Sequence, residues 1–224
     1  MTSVHDADVV AGAAEARTAT FPSRPYPDAS SYFDDYHTIL DQAALTIDRA
    51  AVGRAARLLI DAHARGSCIF ACGNGGSAAI ANHLQCDHVK GVSADTDLSP
   101  RVVSLATNVE LITAIANDIS YDEVFAYQIR NQARPGDVLL AISSSGRSPN
   151  IIRALRTARD CGVSTIALTG FSGGDALRIA DVRIHVDASN YGIVEDLHQA
   201  IMHALAQYIR QSRMTAAAIA SRAF

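Results

Sequence analysis

Two segments of the chain carry imidazole and carboxylate side chains at the spacing of one helical face. In IFACGNGGSAAIANHLQCDHVKG, residues 69–91, His83 and Asp87 are four positions apart and therefore share a face of a helix. In VEDLHQAIMHAL, residues 194–205, Glu195 and His203 are eight positions apart, close to two helical turns. Such groups can bind a divalent metal or transfer protons. Each pair alone is also compatible with a surface hydrogen bond or a polar helix face at a subunit contact.

Three neighbouring side chains are weaker candidates. His88 follows Asp87 directly and points away from the face that His83 and Asp87 share, so we assign it no role. His198 lies about 140° around its helix from His203 and ranks below Glu195 and His203. Gln199 falls in the same predicted helix as Glu195, His198 and His203.

A glycine-rich segment precedes the first of these helices. CGNGGS, residues 72–77, follows an apolar run and contains three glycines that allow a ligand to approach the backbone. Ser77 is the expected N-cap of the helix, and the free N–H groups of a helix N-terminus favour an anion. The alternative is a strand-to-helix turn without a ligand. The spacing matches neither GxGxxG nor a P-loop, so it does not indicate a nucleotide.

A serine-rich segment, AISSSGRSPN at residues 141–150, ends another apolar run. Pro149 suits the first position of a following helix, and Arg147 either adds positive charge or faces solvent. Hydroxyl and backbone donors beside a helix N-terminus suit a phosphate monoester, bound without a metal or a nucleotide. The alternative is an ordinary serine-rich loop. The candidate donors are Ser143, Ser144, Ser145 and Ser148.

Apolar periodicity predicts the elements that must position these residues. Two helices are expected between about residues 30 and 64, followed by alternating strands and helices. The strands are predicted at 67–72, 102–106, 138–143, 165–169 and 182–186, and the helices at 77–89, 109–117, 121–133, 148–160, near 176, and at 193–213. Continuous apolar strands such as DVLLAIS favour a doubly wound α/β fold with a five-stranded parallel sheet buried on both faces. Ligands of such folds bind at the carboxyl ends of the strands.

Bulk composition limits the classes of function. The chain has 224 residues, 49% of them hydrophobic, which suits one sizeable domain. We assign it to residues 29–213, with a flexible N-terminal tail at 1–28 and a C-terminal tail at 214–224. The net charge of −4 argues against a general nucleic-acid binder. No membrane span or secretory signal is recognisable, and four cysteines without a CxxC pair favour the cytoplasm.

Together, these segments resemble the sugar isomerase (SIS) domain family and, within it, the phosphoheptose isomerases. The similarity rests on CGNGGSAAIANH, AIANDISYDEVFAYQI, PGDVLLAISSSGRSPNI, TIALTGFSGGD and EDLHQAIMHAL. It implies a flavodoxin-like sheet and a homotetramer with active sites between subunits. It also implies isomerisation of sedoheptulose 7-phosphate to D-glycero-D-manno-heptose 7-phosphate through an enediol.

The same resemblance implies roles for individual residues. Asp87 would be the base and His203 its acid–base partner or a zinc ligand. The family has a glutamate where this chain has Asp87 and a glutamine where it has Glu195, which adds a negative charge that should strengthen metal binding. Phosphate would be bound by Ser143, Ser144, Ser145 and Ser148, and the sugar by Asn74, Ser77, Asn117, Asp118 and Glu195. One zinc ion per subunit would be held by His83, Asp87, Glu195 and His203.

Three alternatives remain at this point. A related SIS family binds the bacterial replication initiator without catalysis, but a pure scaffold has no need of four clustered acids and imidazoles. An isomerase acting on another sugar phosphate fits the same motifs. A transcriptional regulator with this domain is disfavoured, because no separate helix-turn-helix region is recognisable.

Overall fold

The structure, a computed structural model, describes residues 21–224. Its core is one parallel sheet with the strand order β2-β1-β3-β4-β5. The strands are β1 (Cys68–Cys72), β2 (Arg101–Ser104), β3 (Val138–Ser143), β4 (Ser164–Thr169) and β5 (Val182–His185). The predicted doubly wound five-stranded fold is therefore confirmed.

Helices cover both faces of the sheet. Two of them precede β1, as predicted. The helices are α1 (Ala29–Thr46), α2 (Arg49–Arg65), α3 (Gly76–Cys86), α4 (Val109–Asp118), α5 (Ala126–Gln132), α6 (Pro149–Asp160), α7 (Gly174–Ile179), α8 (Tyr191–Gln211) and α9 (Ala216–Ser221).

Strand periodicity divides the buried side chains into two cores. Along β3, Val138, Leu140 and Ile142 face one side, where α1, α2, α3 and α8 pack. Leu139 and Ala141 face the other side, where α4 to α7 pack. Successive strand residues point to opposite faces, so every residue of β3 is buried. The two helices that carry the imidazole and carboxylate pairs, α3 and α8, consequently lie on the same face.

Two predicted helices differ from those observed. The helix predicted at 77–89 ends at Cys86 and continues as a π-helical turn, Asp87–Val92, so Asp87 stands where the winding changes. Such turns are rare and frequently accompany functional sites. The helix predicted at 121–133 is interrupted, because a short 3₁₀ turn, Tyr121–Glu123, precedes α5.

Residues before and after the predicted domain, 29–213, also make contacts with it. Phe21 is 6% exposed, and its ring contacts Tyr26, Tyr32 and Tyr36. At the other end, Arg210 donates to the Ala223 carbonyl beyond α9. Residues 1–20, the rest of the predicted tail, lie outside the described residues. No helix among residues 21–224 is both long and apolar enough to cross a membrane.

Candidate active site

The loops after β1 and β3 meet at the carboxyl edge of the sheet, because these strands are neighbours. Asn74 and Asn150 exchange two side-chain hydrogen bonds of 2.9 Å. The Tyr121 hydroxyl donates to Asn74 Oδ1 at 3.0 Å. The glycine-rich and serine-rich segments are thereby joined at one edge, as the parallel fold requires. Asn150 and Tyr121 were not identified from the sequence, since neither stands out by type or spacing.

The glycine loop forms its turn through the backbone. Gly75, with φ of 54°, is the N-cap of α3 and has no side chain to cap this helix. Ser77 was predicted as the N-cap, and that prediction is wrong: it lies inside the first turn and is buried. A glycine reaches positive φ without a steric penalty, so the N-cap lies two residues earlier than predicted. Among the described residues, no side chain caps the first N–H groups of α3.

Hydrogen bonds between serine hydroxyls and backbone N–H groups of the same loop stabilise the serine loop. Ser143 Oγ accepts from the Gly146 N–H at 3.2 Å, and Ser145 Oγ accepts from the Arg147 N–H at 3.3 Å. Ser148 is the N-cap residue of α6, followed by Pro149 as predicted. Ser144 is 4% exposed, and its hydroxyl has no hydrogen-bond partner among the described residues. A buried hydroxyl without a partner is uncommon, and a bound anion would satisfy it.

Gly146 explains why this loop keeps its shape. Its φ is 63°, and a Cβ added there would lie 1.9 Å from the Gly173 carbonyl oxygen. The serine loop therefore packs directly on the backbone of the 170–174 loop. Arg147 is exposed and donates to Ser172 Oγ at 2.9 Å.

The predicted sugar-contacting pair lies at the end of α4. Asn117 Nδ2 donates to Asp118 Oδ1 at 2.8 Å, and both residues are exposed. Tyr121, three residues after Asp118, contacts the glycine loop through Asn74. The segment that follows α4 therefore contacts the glycine loop through Tyr121, whereas Asn117 and Asp118 are exposed to solvent.

A second polar group lies where α8 faces α3 and the π-helical turn that follows α3. Asp87 contacts both imidazoles: its Oδ1 is 3.2 Å from His83 Nε2, and its Oδ2 is 2.9 Å from His203 Nδ1. The side chains of His83, Asp87 and His203 are 47%, 24% and 37% exposed, so a small molecule can reach them. Three of the four predicted metal ligands are thus brought together.

Gln199 joins this group. Its side-chain nitrogen is 3.1 Å from His83 Nδ1 and 2.7 Å from His203 Nε2. A positional signal was present, because Gln199 lies four residues from both Glu195 and His203 and therefore shares their face of α8.

Glu195, the fourth predicted ligand, lies elsewhere. A Cβ added to Gly76 would stand 2.2 Å from Glu195 Oε2, so the carboxylate rests against the beginning of α3. Burial, followed by the nearby charge of Asp196, raises the pKa of Glu195. A negative group at a helix N-terminus is favourable, which accounts for this position.

The strand-end loops are separated along α3 and α8 from the group of His83, Asp87, His203 and Gln199, which we call the imidazole cluster. Contacts of Gly76 with Glu195 and of Asp87 with His203 show that α3 and α8 run parallel. At 1.5 Å per residue, His83 and His203 lie about 10–12 Å along their helices from the Gly76–Glu195 contact, and Asp87 lies about 16 Å from it. The strand-end loops and the cluster are therefore distinct regions of one chain.

Three further histidines, His63, His88 and His198, are buried. His88 Nδ1 is 2.9 Å from His63 Nε2, away from the cluster, in agreement with the face predicted for it. Burial lowers the pKa of His63 to about 4, and burial together with His63 lowers that of His88 to about 3. His198 is also fully buried, which lowers its pKa to about 4.

The cluster has the composition of a cation site. His83, Asp87 and His203 each offer one ligand atom, and these atoms lie within 4.8 Å of one another. Zinc binds imidazole nitrogen and carboxylate oxygen at about 2.0–2.2 Å, with ligand atoms about 3.3 Å apart in a tetrahedron. The contacts of 3.2 and 2.9 Å between Asp87 and the two rings are close to that spacing. The residues present therefore fit zinc.

Known proteins show the same architecture. The SIS domain model matches residues 31–170. The phosphoheptose isomerase of Alteromonas mediterranea is 38% identical over 164 residues, 72% of this chain and 82% of the relative. That of Mycobacterium bovis is 39% identical over 154 residues, 69% and 78% of the two chains. The phosphoheptose isomerase structure from Neisseria gonorrhoeae superposes with a TM-score of 0.74 and 33% identity, covering 81% of this chain and 96% of that one. The chain therefore belongs to the SIS domain family, in the branch of the phosphoheptose isomerases.

Proposed function

We propose that this chain converts sedoheptulose 7-phosphate into D-glycero-D-manno-heptose 7-phosphate. The relatives named above are phosphoheptose isomerases. The observation that carries the proposal is the hydrogen bond of 2.9 Å between His203 Nδ1 and Asp87 Oδ2, two side chains that are partly exposed to solvent. It joins a carboxylate and an imidazole, which are the groups that general acid–base catalysis uses most often.

The reaction moves one proton between carbons and one between oxygens. Asp87 removes a proton from the first carbon of the ketose, and the electron pair of that C–H bond forms the enediol double bond. Reprotonation at the second carbon by Asp87 gives the aldose. His203 transfers the proton between the two oxygens, so the net composition is unchanged.

Zinc would be held by His83, Asp87 and His203, with Glu195 as a further ligand if its side chain turned toward the cluster. When bound, the ion supplies a Lewis acid that stabilises negative charge on the substrate oxygens. Asp87 and His203 then have competing roles, because a side chain that ligates the ion is less free to move a proton.

The serine loop would hold the phosphate. Ser144 offers a buried hydroxyl without a partner, and Ser148 and Pro149 begin α6 at the same loop. Ser143 and Ser145 bond to the loop backbone and fix its shape. The N-terminus of α6 adds a favourable field for a negative group.

A homotetramer would bring the two regions together. Since the cluster lies about 10–16 Å along α3 from the strand ends, we infer that the loops of one copy face the cluster of a neighbouring copy. Large apolar side chains are exposed on α1, where Phe33 is 63% and Leu45 79% exposed, and on α4, where Val109 is 63% exposed. Exposed apolar surface of this kind is expected at subunit contacts.

The cytoplasm is the proposed location. All four cysteines, Cys68, Cys72, Cys86 and Cys161, are free, which suits a reducing compartment.

An assay over a panel of phosphorylated ketoses tests the proposal, with metal content measured on the same sample. We expect turnover of sedoheptulose 7-phosphate to exceed that of five- and six-carbon ketose phosphates. Preference for another ketose phosphate would assign the chain to a different substrate, in keeping with Asp87 and Glu195 replacing the family's glutamate and glutamine. Binding of a replication initiator without turnover of any ketose would contradict the enzymatic proposal.

A further inference from the structure

Gln199 closes a ring of four side chains. Its amide nitrogen contacts His83 Nδ1 at 3.1 Å and His203 Nε2 at 2.7 Å. The opposite nitrogen of each imidazole contacts Asp87, at 3.2 Å for His83 Nε2 and 2.9 Å for His203 Nδ1. Each of the four imidazole nitrogens therefore has one contact with either Gln199 or Asp87.

Hydrogen-bond matching determines where the protons lie without a metal. A neutral imidazole donates from one nitrogen and accepts at the other, whereas an amide NH₂ donates twice. With the Gln199 nitrogen toward both imidazoles, His83 and His203 accept from the amide. His203 then donates to Asp87 Oδ2, and His83 carries its proton on Nε2, which lies 3.2 Å from Asp87 Oδ1. The reversed amide would require both imidazoles to be doubly protonated, so the matching selects this orientation.

A cation at Asp87 changes these requirements. It would take the lone pairs of His83 Nε2 and His203 Nδ1, the nitrogens closest to the carboxylate. Each ring would then carry its proton on the nitrogen that faces Gln199. Half a turn of the amide presents Oε1, which accepts from both rings. A metal-ligating histidine usually donates its other N–H to such an acceptor, and losing that partner costs about 10–100-fold in affinity.

We propose that Gln199 is a positioning residue of the zinc site, which orients both imidazoles and fixes their tautomers through one side-chain amide. The inference rests on the proposed zinc site. It deepens that proposal, because the proposed set of zinc ligands gave no role to Gln199. The same residue serves both states, through NH₂ without the ion and through Oε1 with it.

Zinc affinity, measured by competition with a chromogenic chelator on the purified full chain, tests the role without requiring turnover. Gln199→Leu keeps a similar volume and removes the amide, and we expect zinc to bind about 10–100-fold more weakly. Gln199→Glu retains an oxygen that accepts from both rings, and we expect affinity at least equal to wild type. Gln207→Leu makes the same change on an exposed position of α8 and should leave affinity unchanged.

Three results would overturn the inference: unchanged or tighter zinc binding by Gln199→Leu, a Gln199→Glu variant as weak as Gln199→Leu, or no zinc binding by any of these proteins. Thermal melting of each metal-free variant separates a loss of affinity from a loss of folding. Turnover of sedoheptulose 7-phosphate is measured separately. An inactive wild type that binds zinc would contradict the proposed reaction while leaving the role of Gln199 decided by the affinities.

Discussion

The strand-end loops and the imidazole cluster are built in opposite ways. The loops owe their shape to backbone conformation: positive φ at Gly75 and Gly146, and a backbone contact between Gly146 and Gly173. The cluster owes its shape to side chains from two helices, since Asp87 and His203 are 116 residues apart in sequence. Backbone-built sites suit a constant ligand group such as a phosphate, whereas the cluster supplies titratable groups for the reaction. Substitutions in the two regions should therefore have different kinetic signatures.

The largest effect is expected in the cluster. His203→Ala removes the imidazole that moves the proton between oxygens, so kcat should fall by about 10³-fold. Steady-state kinetics checks the rate, and size-exclusion chromatography checks that the assembly is intact. His37→Ala alters an exposed histidine of α1 and serves as the control. Turnover retained by the His203 variant would remove that residue from the reaction.

A charge in the serine loop should act on binding. Ser144→Glu places a carboxylate where the phosphate is proposed to lie, and like-charge repulsion of several kcal/mol should raise KM by about 100-fold or more. Ser144→Ala, which removes only the unpartnered hydroxyl, should raise KM by about tenfold, because hydrogen bonds to charged groups contribute about 1.5–3 kcal/mol. Ser221→Glu, on exposed α9, adds the same charge at a distance. An unchanged substrate affinity of Ser144→Glu would contradict the phosphate assignment.

Mixing the Ser144→Glu and His203→Ala variants, assayed at a substrate concentration at which each alone has little activity, tests whether the regions meet between chains. Co-refolded Ser144→Glu and His203→Ala chains should regain about one quarter of the wild-type rate if each site takes its loop and its cluster from different copies of a closed oligomer. A site contained within one chain would show no recovery. Each variant refolded alone provides the baseline.

A matched pair of glycine substitutions isolates the backbone contact of the serine loop. Gly146 and Gly66 have similar φ, 63° and 68°, but a Cβ at Gly66 meets nothing within 4 Å. Gly66→Ala should lower the free energy of unfolding by about 1–2 kcal/mol, from left-handed strain alone. Gly146→Ala should cost about 1–3 kcal/mol more and also raise KM, because the loop must move. Equal destabilisation of the two variants in urea titrations would show that the contact with Gly173 is unimportant.

The smallest effect concerns stability against acid. Burial lowers the pKa of His198 to about 4 in the folded protein, below its usual value near 6.5. The unfolded chain therefore binds a proton first as the pH falls, and stability is lost progressively from about pH 6.5 toward pH 4. Between pH 7 and pH 5, wild type should lose about 1–2 kcal/mol more than His198→Leu. Parallel pH dependence of the two proteins would show that His198 is not responsible.

Periodicity and local chemistry predicted a substantial part of this molecule. The five strands, the two preceding helices and the positions of both loops followed from apolar patterning and from glycine, serine and proline preferences. The pair His83–Asp87 followed from helical spacing, whereas Glu195 lies against Gly76 and not beside His203. Ser77 was misplaced as a cap because Gly75, two residues before it, can begin the helix by backbone conformation alone.

By itself, the sequence determined which residues share a face of each helix and which loops end the strands, because these properties depend on neighbours along the chain. The tertiary structure decided how α3 and α8 are aligned along their common direction. Packing of both helices against one face of the sheet sets that alignment, which places Asp87 beside His203, leaves Glu195 at Gly76 and brings Gln199 between the two imidazoles. Helical spacing contains no information about the relative height of two helices, so only their packing could specify these contacts.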